Sequence, residues 1–169
     1  GDHNLQNSLA AITVAKLLDI PNESIREKLR DFKSLPGRLE IIKDINEVTF
    51  INDTTATTPM ATLKAIQSLS RPIILIAGGA DKNLSYDELT EIIQKTIKAV
   101  ILLPGTATEK IKKHLKNILS KKMMNEKTAW YESKNMKEAI SIAWRIAEKG
   151  DILMSVRAPV GNINLAKEK

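Results

Sequence analysis

Two short stretches that contain no polar side chain constrain the fold of this chain more than any other feature. Residues 72–77 read Pro-Ile-Ile-Leu-Ile-Ala, and residues 99–103 read Ala-Val-Ile-Leu-Leu. Uninterrupted apolar runs of this length are typical of β-strands that are buried on both faces. Such strands belong to parallel sheets with helices packed on each side, so the two stretches predict an α/β fold.

The patterns on either side of these stretches alternate between strand and helix. Further strands are predicted at residues 39–45, 48–51, 128–131 and 151–154. Helices are predicted at residues 60–69, 86–95, 106–119 and 136–148. The first two strands flank a turn at residues 46–47, which is short enough for an antiparallel hairpin. We therefore expect a Rossmann-like, mostly parallel sheet with right-handed crossovers, helices on both faces and a hairpin at its start.

The first 36 residues follow a different pattern, because two helical stretches occur there without a strand for them to cover. Apolar residues recur in both stretches at helical spacing, and Asn22 is predicted to cap the second helix. We expect residues 1–36 to be the C-terminal tail of a preceding domain and residues 37–169 to form the α/β domain. Since the chain opens with Gly1 rather than methionine, we also expect it to be a piece of a longer protein.

Polar residues and glycines follow four of the predicted strands. They are Asp53, Thr55, Thr57 and Thr58 after the second strand, residues 78–83 after the third, residues 104–106 after the fourth, and Ser155 and Arg157 after the last. In open α/β sheets, ligands bind beyond the carboxyl ends of the strands, where these residues would meet. Lysine, arginine and hydroxyl groups at such an edge suit an anionic small molecule, most simply one that carries carboxylates. Taken alone, Gly78-Gly79 is equally well explained as a tight turn between a strand and a helix.

The composition excludes several kinds of site. The chain has no cysteine and two histidines, which leaves no disulfide framework and no thiolate metal site. No G-x-x-x-x-G-K-[ST] or G-x-G-x-x-G motif follows a predicted strand, so neither an ordinary phosphate-binding loop nor an ordinary dinucleotide site is predicted. No apolar run reaches the roughly 18 residues that a membrane span needs, and we expect a cytoplasmic protein.

The net charge of +6 requires nucleic-acid binding to be considered. Much of the positive charge comes from six lysines in and after one predicted helix: Lys110, Lys112, Lys113, Lys116, Lys121 and Lys122. A nucleic-acid surface would carry aromatic residues or arginines among the lysines for stacking and bidentate contacts, and this stretch has neither. A solvated helix face is the favoured interpretation, and no nucleic-acid partner is expected.

Four short motifs occur in an order that resembles the Mur ligase family. They are Gly1-x-His3-Asn4-x-x-Asn7, Leu35-Pro36-Gly37-Arg38-Leu39-Glu40, Asn52-Asp53-x-x-Ala56-Thr57 and Ala77-Gly78-Gly79-x-Asp81-Lys82. The third motif is similar to that of the branch of the family that adds D-glutamate to UDP-N-acetylmuramoyl-L-alanine. The resemblance covers residues 1–154. It implies that residues 1–36 close a central ATP-binding domain and that residues 37–169 form a C-terminal, Rossmann-like domain.

The resemblance also implies a reaction and a set of ligands. ATP, with Mg²⁺, would phosphorylate the carboxylate of UDP-N-acetylmuramoyl-L-alanine, and the amine of D-glutamate would attack the acyl phosphate in peptidoglycan precursor synthesis. The residues implied for ATP are Asn4, Asn7, Arg38 and Asp53, and those implied for D-glutamate are Thr57, Lys82 and Ser155. No catalytic residue or metal ligand is implied here, since the phosphate-binding loop would lie in an upstream domain. We expect the chain alone to be inactive and the protein to be a monomer.

Three features depart from the usual pattern of the family. Thr55 replaces a lysine that many members carry, and Gly37 replaces a histidine. Residues 155–169 lack the usual Ser-Pro segment and aromatic residue, and are more similar to a short segment of the DNA-specificity subunits of type I restriction systems. Two alternatives therefore stay open. One is another amino-acid ligase of the superfamily, acting on a different residue or on folate, and the other is a non-catalytic module that binds nucleotides or nucleic acid.

Overall fold

The computed structural model of this chain describes residues 2–33, 35–121 and 128–156. The chain divides into two compact units, Gly1–Leu35 and Pro36–Lys169. The described part of the first unit is helical, and the second unit contains every strand of the described residues. Within the described ranges, no helix has both the length and the apolar composition that crossing a lipid bilayer requires.

The first unit consists of two helices, α1 (Asp2–Leu17) and α2 (Asn22–Arg30). Asn22, predicted as the cap of α2, is instead its first helical residue. Pro21 occupies the capping position with φ −58° and ψ 141°, an extended conformation that its ring favours. The side-chain oxygen of Asn22 accepts a hydrogen bond from Nζ of Lys16 at 3.0 Å, which links the ends of the two helices.

Apolar side chains of the two-helix unit remain exposed. Leu5, Leu9 and Leu17 of α1 are 60%, 53% and 78% exposed, and Phe32 after α2 is 69% exposed. No residue of α2 is buried. The apolar pattern seen in the sequence is thus present on these helices, but it does not form a buried core.

The second unit is a six-stranded sheet with four helices. Its strands are β1 (Glu40–Ile45), β2 (Val48–Asp53), β3 (Ile73–Gly78), β4 (Ile97–Leu103), β5 (Ala129–Glu132) and β6 (Ile152–Val156). Its helices are α3 (Pro59–Gln67), α4 (Asp87–Thr96), α5 (Thr106–Lys121) and α6 (Met136–Ile146). The strand order is β1-β2-β6-β3-β4-β5, with β1 antiparallel to β2 and every other neighbouring pair parallel.

The two faces of the sheet carry separate apolar cores. Helices α3, α4 and α5 pack on one face, the three-helix face, in a cluster that includes Leu75 and Ile93. Helix α6 packs on the opposite face, the α6 face, in a cluster that includes Ile74 and Ala143. The connections through α3, α4 and α5 advance across the sheet in one direction, and the connection through α6 returns in the other. Because all these crossovers have the same handedness, the returning helix α6 lies alone on the opposite face. The predicted fold class is confirmed.

Strand β4 begins earlier than the sequence predicts, at Ile97 rather than at residue 99. Lys98 interrupts the apolar pattern, which is why the start of the strand was not visible in the sequence. The ammonium of Lys98 pairs with the carboxylates of Asp151 and Glu148, both at 2.8 Å. A charged side chain is tolerated in the strand because two carboxylates replace part of its hydration.

Candidate functional site

The carboxyl ends of β2, β3, β4 and β6 lie at one edge of the sheet, called here the carboxyl edge. Parallel pairing sets their last residues side by side, since Asp53 is opposite Val156 and Gly78 is opposite Leu103. The loops after β2 and β3 therefore leave the sheet at the same edge. In open α/β sheets this is the edge at which ligands bind.

Lys82 and Thr57 bring these two loops into contact. Nζ of Lys82 donates a hydrogen bond to Oγ1 of Thr57 at 3.3 Å, although the two residues are 25 positions apart in the sequence. Lys82 is exposed and Thr57 is half-buried. Among the described residues, no carboxylate forms an ion pair with Lys82. Its ammonium is therefore available to an anion that enters beside Thr57.

Asp81 anchors the loop that carries Lys82. Its N–H donates a hydrogen bond to Oγ1 of Thr106 at 2.9 Å, which ties the loop to the first residue of α5. Its carboxylate pairs with Lys110 and accepts the N–H of Asn83 at 3.1 Å. The hydrogen bond from Lys110 lowers the pKa of Asp81 and, with backbone N–H groups, outweighs the opposing effect of burial. The carboxylate is thus ionised at neutral pH.

Two glycines let the loops after β3 and β4 approach each other closely. A Cβ on Gly105 would lie 2.2 Å from the carbonyl oxygen of Gly79, and one on Gly78 would lie 2.5 Å from that of Leu103. The N–H of Ala107 donates to the same Gly79 oxygen at 2.9 Å. Packing between two backbone segments therefore explains the glycines at positions 78 and 105.

A small cleft of about 40 Å³ opens at the carboxyl edge on the three-helix face. Thr57 and Thr58 line one part of it, and Gly78 and Tyr86 line another. Oγ1 of Thr58 caps α3, and Pro59 at the first helical position also lines the cleft. The positive end of the α3 dipole therefore lies beside the cleft. Hydroxyl groups, a helix N-terminus and a nearby ammonium form surroundings that favour a carboxylate.

The segment that leads into β1 is fastened across the end of β2. The carbonyl oxygen of Gly37 accepts two hydrogen bonds from Thr55, from its N–H at 3.0 Å and from its hydroxyl at 2.7 Å. On the other side of Arg38, the N–H of Leu39 donates to Oδ1 of the buried Asp53 at 3.0 Å. Arg38 is exposed between these two fixed residues, so it projects from a turn whose backbone is held in place.

Residues 37–156 match the family described as "Mur ligase, glutamate ligase domain". The chain belongs to the Mur ligase family. The matched span contains all six strands of the sheet and both of the loops that Thr57 and Lys82 bring into contact.

Curated Mur ligases resemble this chain over most of its length. It is 38% identical over 154 residues to the UDP-N-acetylmuramoylalanine–D-glutamate ligase of Clostridioides difficile strain 630, an alignment that covers 91% of the chain and 32% of that relative. It is 40% identical over 154 residues to the ligase of the same name from Caldanaerobacter subterraneus subsp. tengcongensis, covering 91% and 33%. The chain spans about a third of the length of these curated relatives.

Solved structures of two ligases share the fold. The MurF ligase of Thermotoga maritima in complex with ADP superposes with a TM-score of 0.66 at 19% identity, covering 91% of this chain and 34% of that one. A pseudomurein peptide ligase type C from Methanothermus fervidus superposes with a TM-score of 0.65 at 21% identity, covering 92% and 33%. At these identities the superpositions support the architecture of the Mur ligase domain.

Ser155 does not lie with Thr57 and Lys82. Side chains alternate along β6, and Met154 and Val156 belong to the core of the three-helix face. Ser155 therefore points to the α6 face, where it lines an apolar groove of about 230 Å³ between the hairpin and α6. The three residues predicted for D-glutamate are thus divided between the two faces of the sheet.

The residues predicted for ATP are also divided between parts of the Mur ligase chain. Arg38 and Asp53 lie in and beside the fastened turn at the end of β2. Asn4 and Asn7 lie on α1 of the two-helix unit, where Asn7 is exposed and the side chain of Asn4 is outside the described residues. Arg157, noted in the sequence at the same edge, is also outside the described residues.

Lys110 is a residue of this candidate site that the sequence did not indicate. It belongs to the lysine cluster interpreted as a solvated helix face, yet its ammonium pairs with Asp81. Lys112 of the same cluster pairs with Glu132 at 3.0 Å and Glu109 at 3.3 Å, and its side chain is 17% exposed. These two lysines are therefore engaged with carboxylates of the domain, whereas Lys113 and Lys116 are exposed as expected. The spacing of lysines along a helix does not indicate which of them pairs with a carboxylate on a distant loop.

Proposed function

We propose that this chain supplies the D-glutamate-binding part of an ATP-dependent ligase that adds D-glutamate to UDP-N-acetylmuramoyl-L-alanine. A carboxylate oxygen of the UDP-linked substrate attacks the γ-phosphorus of ATP, and ADP leaves. The amine of D-glutamate then attacks the carbonyl carbon of the acyl phosphate, phosphate leaves, and the amine nitrogen loses a proton as the amide forms. The names of the curated relatives support this reaction class.

The observation that carries the proposal is the contact between Lys82 and Thr57 at the carboxyl edge. D-glutamate presents two carboxylates. The ammonium of Lys82, which has no ion-pair partner among the described residues and lies beside a hydroxyl group, suits one of them. The start of α3 next to Thr57 adds a favourable dipole for a carboxylate. Holding a carboxylate in this way fixes the position of the ligand, so that its amine can be directed at the acyl phosphate.

The chemistry of the fastened turn fits a contact with nucleotide phosphates. Arg38 offers a permanently charged guanidinium from a backbone that hydrogen bonds hold on both sides, at Gly37 and at Leu39. We propose that Arg38 contacts the phosphates of ATP and that Asp53 keeps the turn in position. Within the described residues, no group of three or more His, Cys, Asp or Glu side chains is arranged to hold a metal ion. The proposal therefore assigns Mg²⁺ to no residue of this chain.

We further propose that residues 1–36 belong to the ATP-binding domain of the ligase, with Asn4 and Asn7 near the adenine. The exposed apolar side chains of α1 support this, because such a surface is normally covered by protein. The chain itself contains no phosphate-binding loop motif. Our proposal accordingly predicts that the chain binds amino acid but releases no phosphate from ATP by itself.

A second candidate is a Mur ligase that adds a different amino acid. It is favoured by Thr55, whose hydroxyl donates to the carbonyl oxygen of Gly37 and supplies no charge where the family resemblance implies a lysine. The position of Ser155 on the α6 face removes another expected group from the glutamate side. Fewer groups for a second carboxylate would suit an amino acid with a neutral side chain.

The proposal is tested by isothermal titration calorimetry of this chain with D-glutamate, L-glutamate and a panel of other D- and L-amino acids. D-glutamate is expected to bind most tightly. Replacing Lys82 by methionine should weaken its binding at least about tenfold, which corresponds to about 1.4 kcal/mol. The matched control is Lys64→Met, since Lys64 is an exposed lysine of α3 for which no ion pair is found among the described residues.

Three results would decide between the candidates. Preference for D-glutamate that is lost in Lys82→Met and kept in Lys64→Met supports the proposal. Preference for another amino acid keeps the ligase class and changes the substrate. If no amino acid binds to the folded chain, or if Lys82→Met binds D-glutamate as well as the unmodified chain does, the proposed site is wrong.

A further inference from the structure

Lys82 is flanked by a carboxylate that could neutralise it. Asp81 precedes it in the sequence, and opposite charges on neighbouring side chains attract each other at short range. In the structure this pairing does not occur, since the hydrogen bond of Lys82 goes to Thr57. Another group must therefore pair with the Asp81 carboxylate.

Lys110 is that group. It pairs with the Asp81 carboxylate, which also accepts the N–H groups of Asn83 and Leu84. With these partners the Asp81 side chain is only 10% exposed. The carboxylate is thus supplied with donors from α5 and from its own loop, and it needs no contact with Lys82.

The attachment to α5 also fixes the backbone of the loop. Thr106 and Lys110 are four residues apart on α5 and therefore lie on the same side of the helix. Thr106 accepts the N–H of Asp81 at 2.9 Å, while Lys110 pairs with its side chain. Backbone and carboxylate of Asp81 are held together by one helix face, immediately before the residue that reaches Thr57.

We propose that Lys110 is a positioning residue of the amino-acid site: by occupying the Asp81 carboxylate it fixes the loop at residues 79–83 and leaves the ammonium of Lys82 for a carboxylate of the ligand. The inference rests on the proposed function for the identity of that ligand, D-glutamate. Without Lys110, the Asp81 carboxylate would keep its negative charge but lose its cationic hydrogen-bond donor. Lys82 is the adjacent cation that can turn to this carboxylate. The ligand would then compete with Asp81 for Lys82.

The first test compares the Kd of D-glutamate for three variants of the chain by calorimetry. Lys110→Met should weaken binding about fivefold. Lys110 acts on the ligand through Asp81 and Lys82, and interaction energies between contacting residues have this magnitude. Lys110→Arg keeps the charge and should restore binding to within about twofold of the unmodified chain. Lys113→Met is the matched control, since Lys113 is an exposed lysine of the same helix for which no ion pair is found among the described residues. Equal binding by the Lys110→Met and Lys113→Met variants would overturn the inference.

The second test needs no ligand and follows the pKa of Asp81 by carbon-detected NMR titration. In the unmodified chain, Lys82→Met should leave this pKa unchanged. In the Lys110→Met background, Lys82→Met should raise it, because Lys82 has become the partner of Asp81. An equal response to Lys82→Met in both backgrounds would contradict the exchange of partners. Failure of the chain to bind D-glutamate would count against the proposed function alone, since this titration judges the role of Lys110 independently.

Discussion

The two ends of the sheet use their cations differently. At the carboxyl edge, the hydrogen bond found for Lys82 within the described part of the chain goes to the hydroxyl of Thr57 at 3.3 Å. At the opposite, amino edge, Arg71 donates four hydrogen bonds and Lys98 pairs with two carboxylates. The amino edge uses its cations to connect strands and turns to one another. The carboxyl edge has a cation, Lys82, that pairs with no carboxylate in the described ranges, and such a cation suits a binding site for an anion.

Arg71 shows how completely a cation is used at the amino edge. Its guanidinium donates to the carbonyl oxygens of Gly150 at 2.6 Å, Glu47 at 3.0 Å and Asp151 at 3.1 Å, and to Oγ1 of Thr49 at 2.8 Å. These acceptors belong to the hairpin turn, to β2 and to the turn before β6. One side chain therefore joins its own segment, before β3, to residues 47–49 and 150–151, which are distant in the sequence. Its planar fork of donors suits that task.

We expect Arg71→Ala, which removes the cation that connects the amino edge, to have the largest effect on the free energy of unfolding. Removing the guanidinium breaks these four hydrogen bonds, although the carbonyl oxygens of Glu47 and Asp151 keep the N–H donors of Gly150 and Thr49. It should lower the free energy of unfolding by about 2 to 3 kcal/mol. Urea denaturation followed by circular dichroism measures the change. Binding of D-glutamate by the folded variant should not change, because Arg71 lies at the other end of the sheet.

Arg145→Ala is the matched control for Arg71→Ala. Arg145 is an exposed arginine of α6 for which no partner is found among the described residues, so its loss should change the free energy of unfolding by less than about 0.5 kcal/mol. Equal stabilities of the two variants would show that the hydrogen bonds of Arg71 do not hold the amino edge together.

A smaller effect is expected for Lys98→Met. Asp151, which is buried, would lose its ammonium partner, and the free energy of unfolding should fall by about 1 to 2 kcal/mol. Lys95→Met is the control, because Lys95 pairs with Glu91 at 3.7 Å on the exposed surface of α4, where such pairs contribute less than about 0.5 kcal/mol.

The contribution of Lys98 should also depend on pH in a defined direction. Burial lowers the pKa of Lys98, but the hydrogen bonds to Asp151 and Glu148 outweigh it and raise the pKa above the ordinary value of 10.5. A raised pKa in the folded state means that the stabilisation is complete below the unfolded value and is lost as the pH rises through the folded value. The difference in unfolding free energy between the unmodified chain and Lys98→Met should therefore be constant from about pH 7 to pH 10 and narrow at higher pH. A difference that widens with alkaline pH would contradict this account.

The fold could be predicted from the sequence because its strongest signals are local. The apolar runs of β3 and β4 and the loop signals between elements lie within a few residues of one another, so the order of strands and helices follows directly. Lys98 shows the limit of this reasoning. Its charge hid the first residues of β4, since the carboxylates that compensate it are 50 and 53 positions away.

The candidate site could be predicted in part for the same reason. Thr57 and Lys82 follow strands whose carboxyl ends must meet in a parallel sheet, so their proximity could be anticipated. The face of Ser155 could not, because β6 is buried on both sides and its apolar pattern does not distinguish them. The pairing of Lys110 with Asp81 joins a helix to a distant loop, and no local pattern of charges identifies such a partner.

The proposed function requires that the carboxyl edge, and not the amino edge, receives the carboxylate ligand. A titration of the isotope-labelled chain with D-glutamate, followed by proton–nitrogen correlation NMR, tests this claim at both ends of the sheet in one experiment. We predict saturable shifts for the backbone amides of residues 55–58 and 79–83, absent in the Lys82→Met variant, with those of Arg71, Lys98 and Gly150 unchanged. Shifts confined to the amino edge, or none at either edge, would contradict the account.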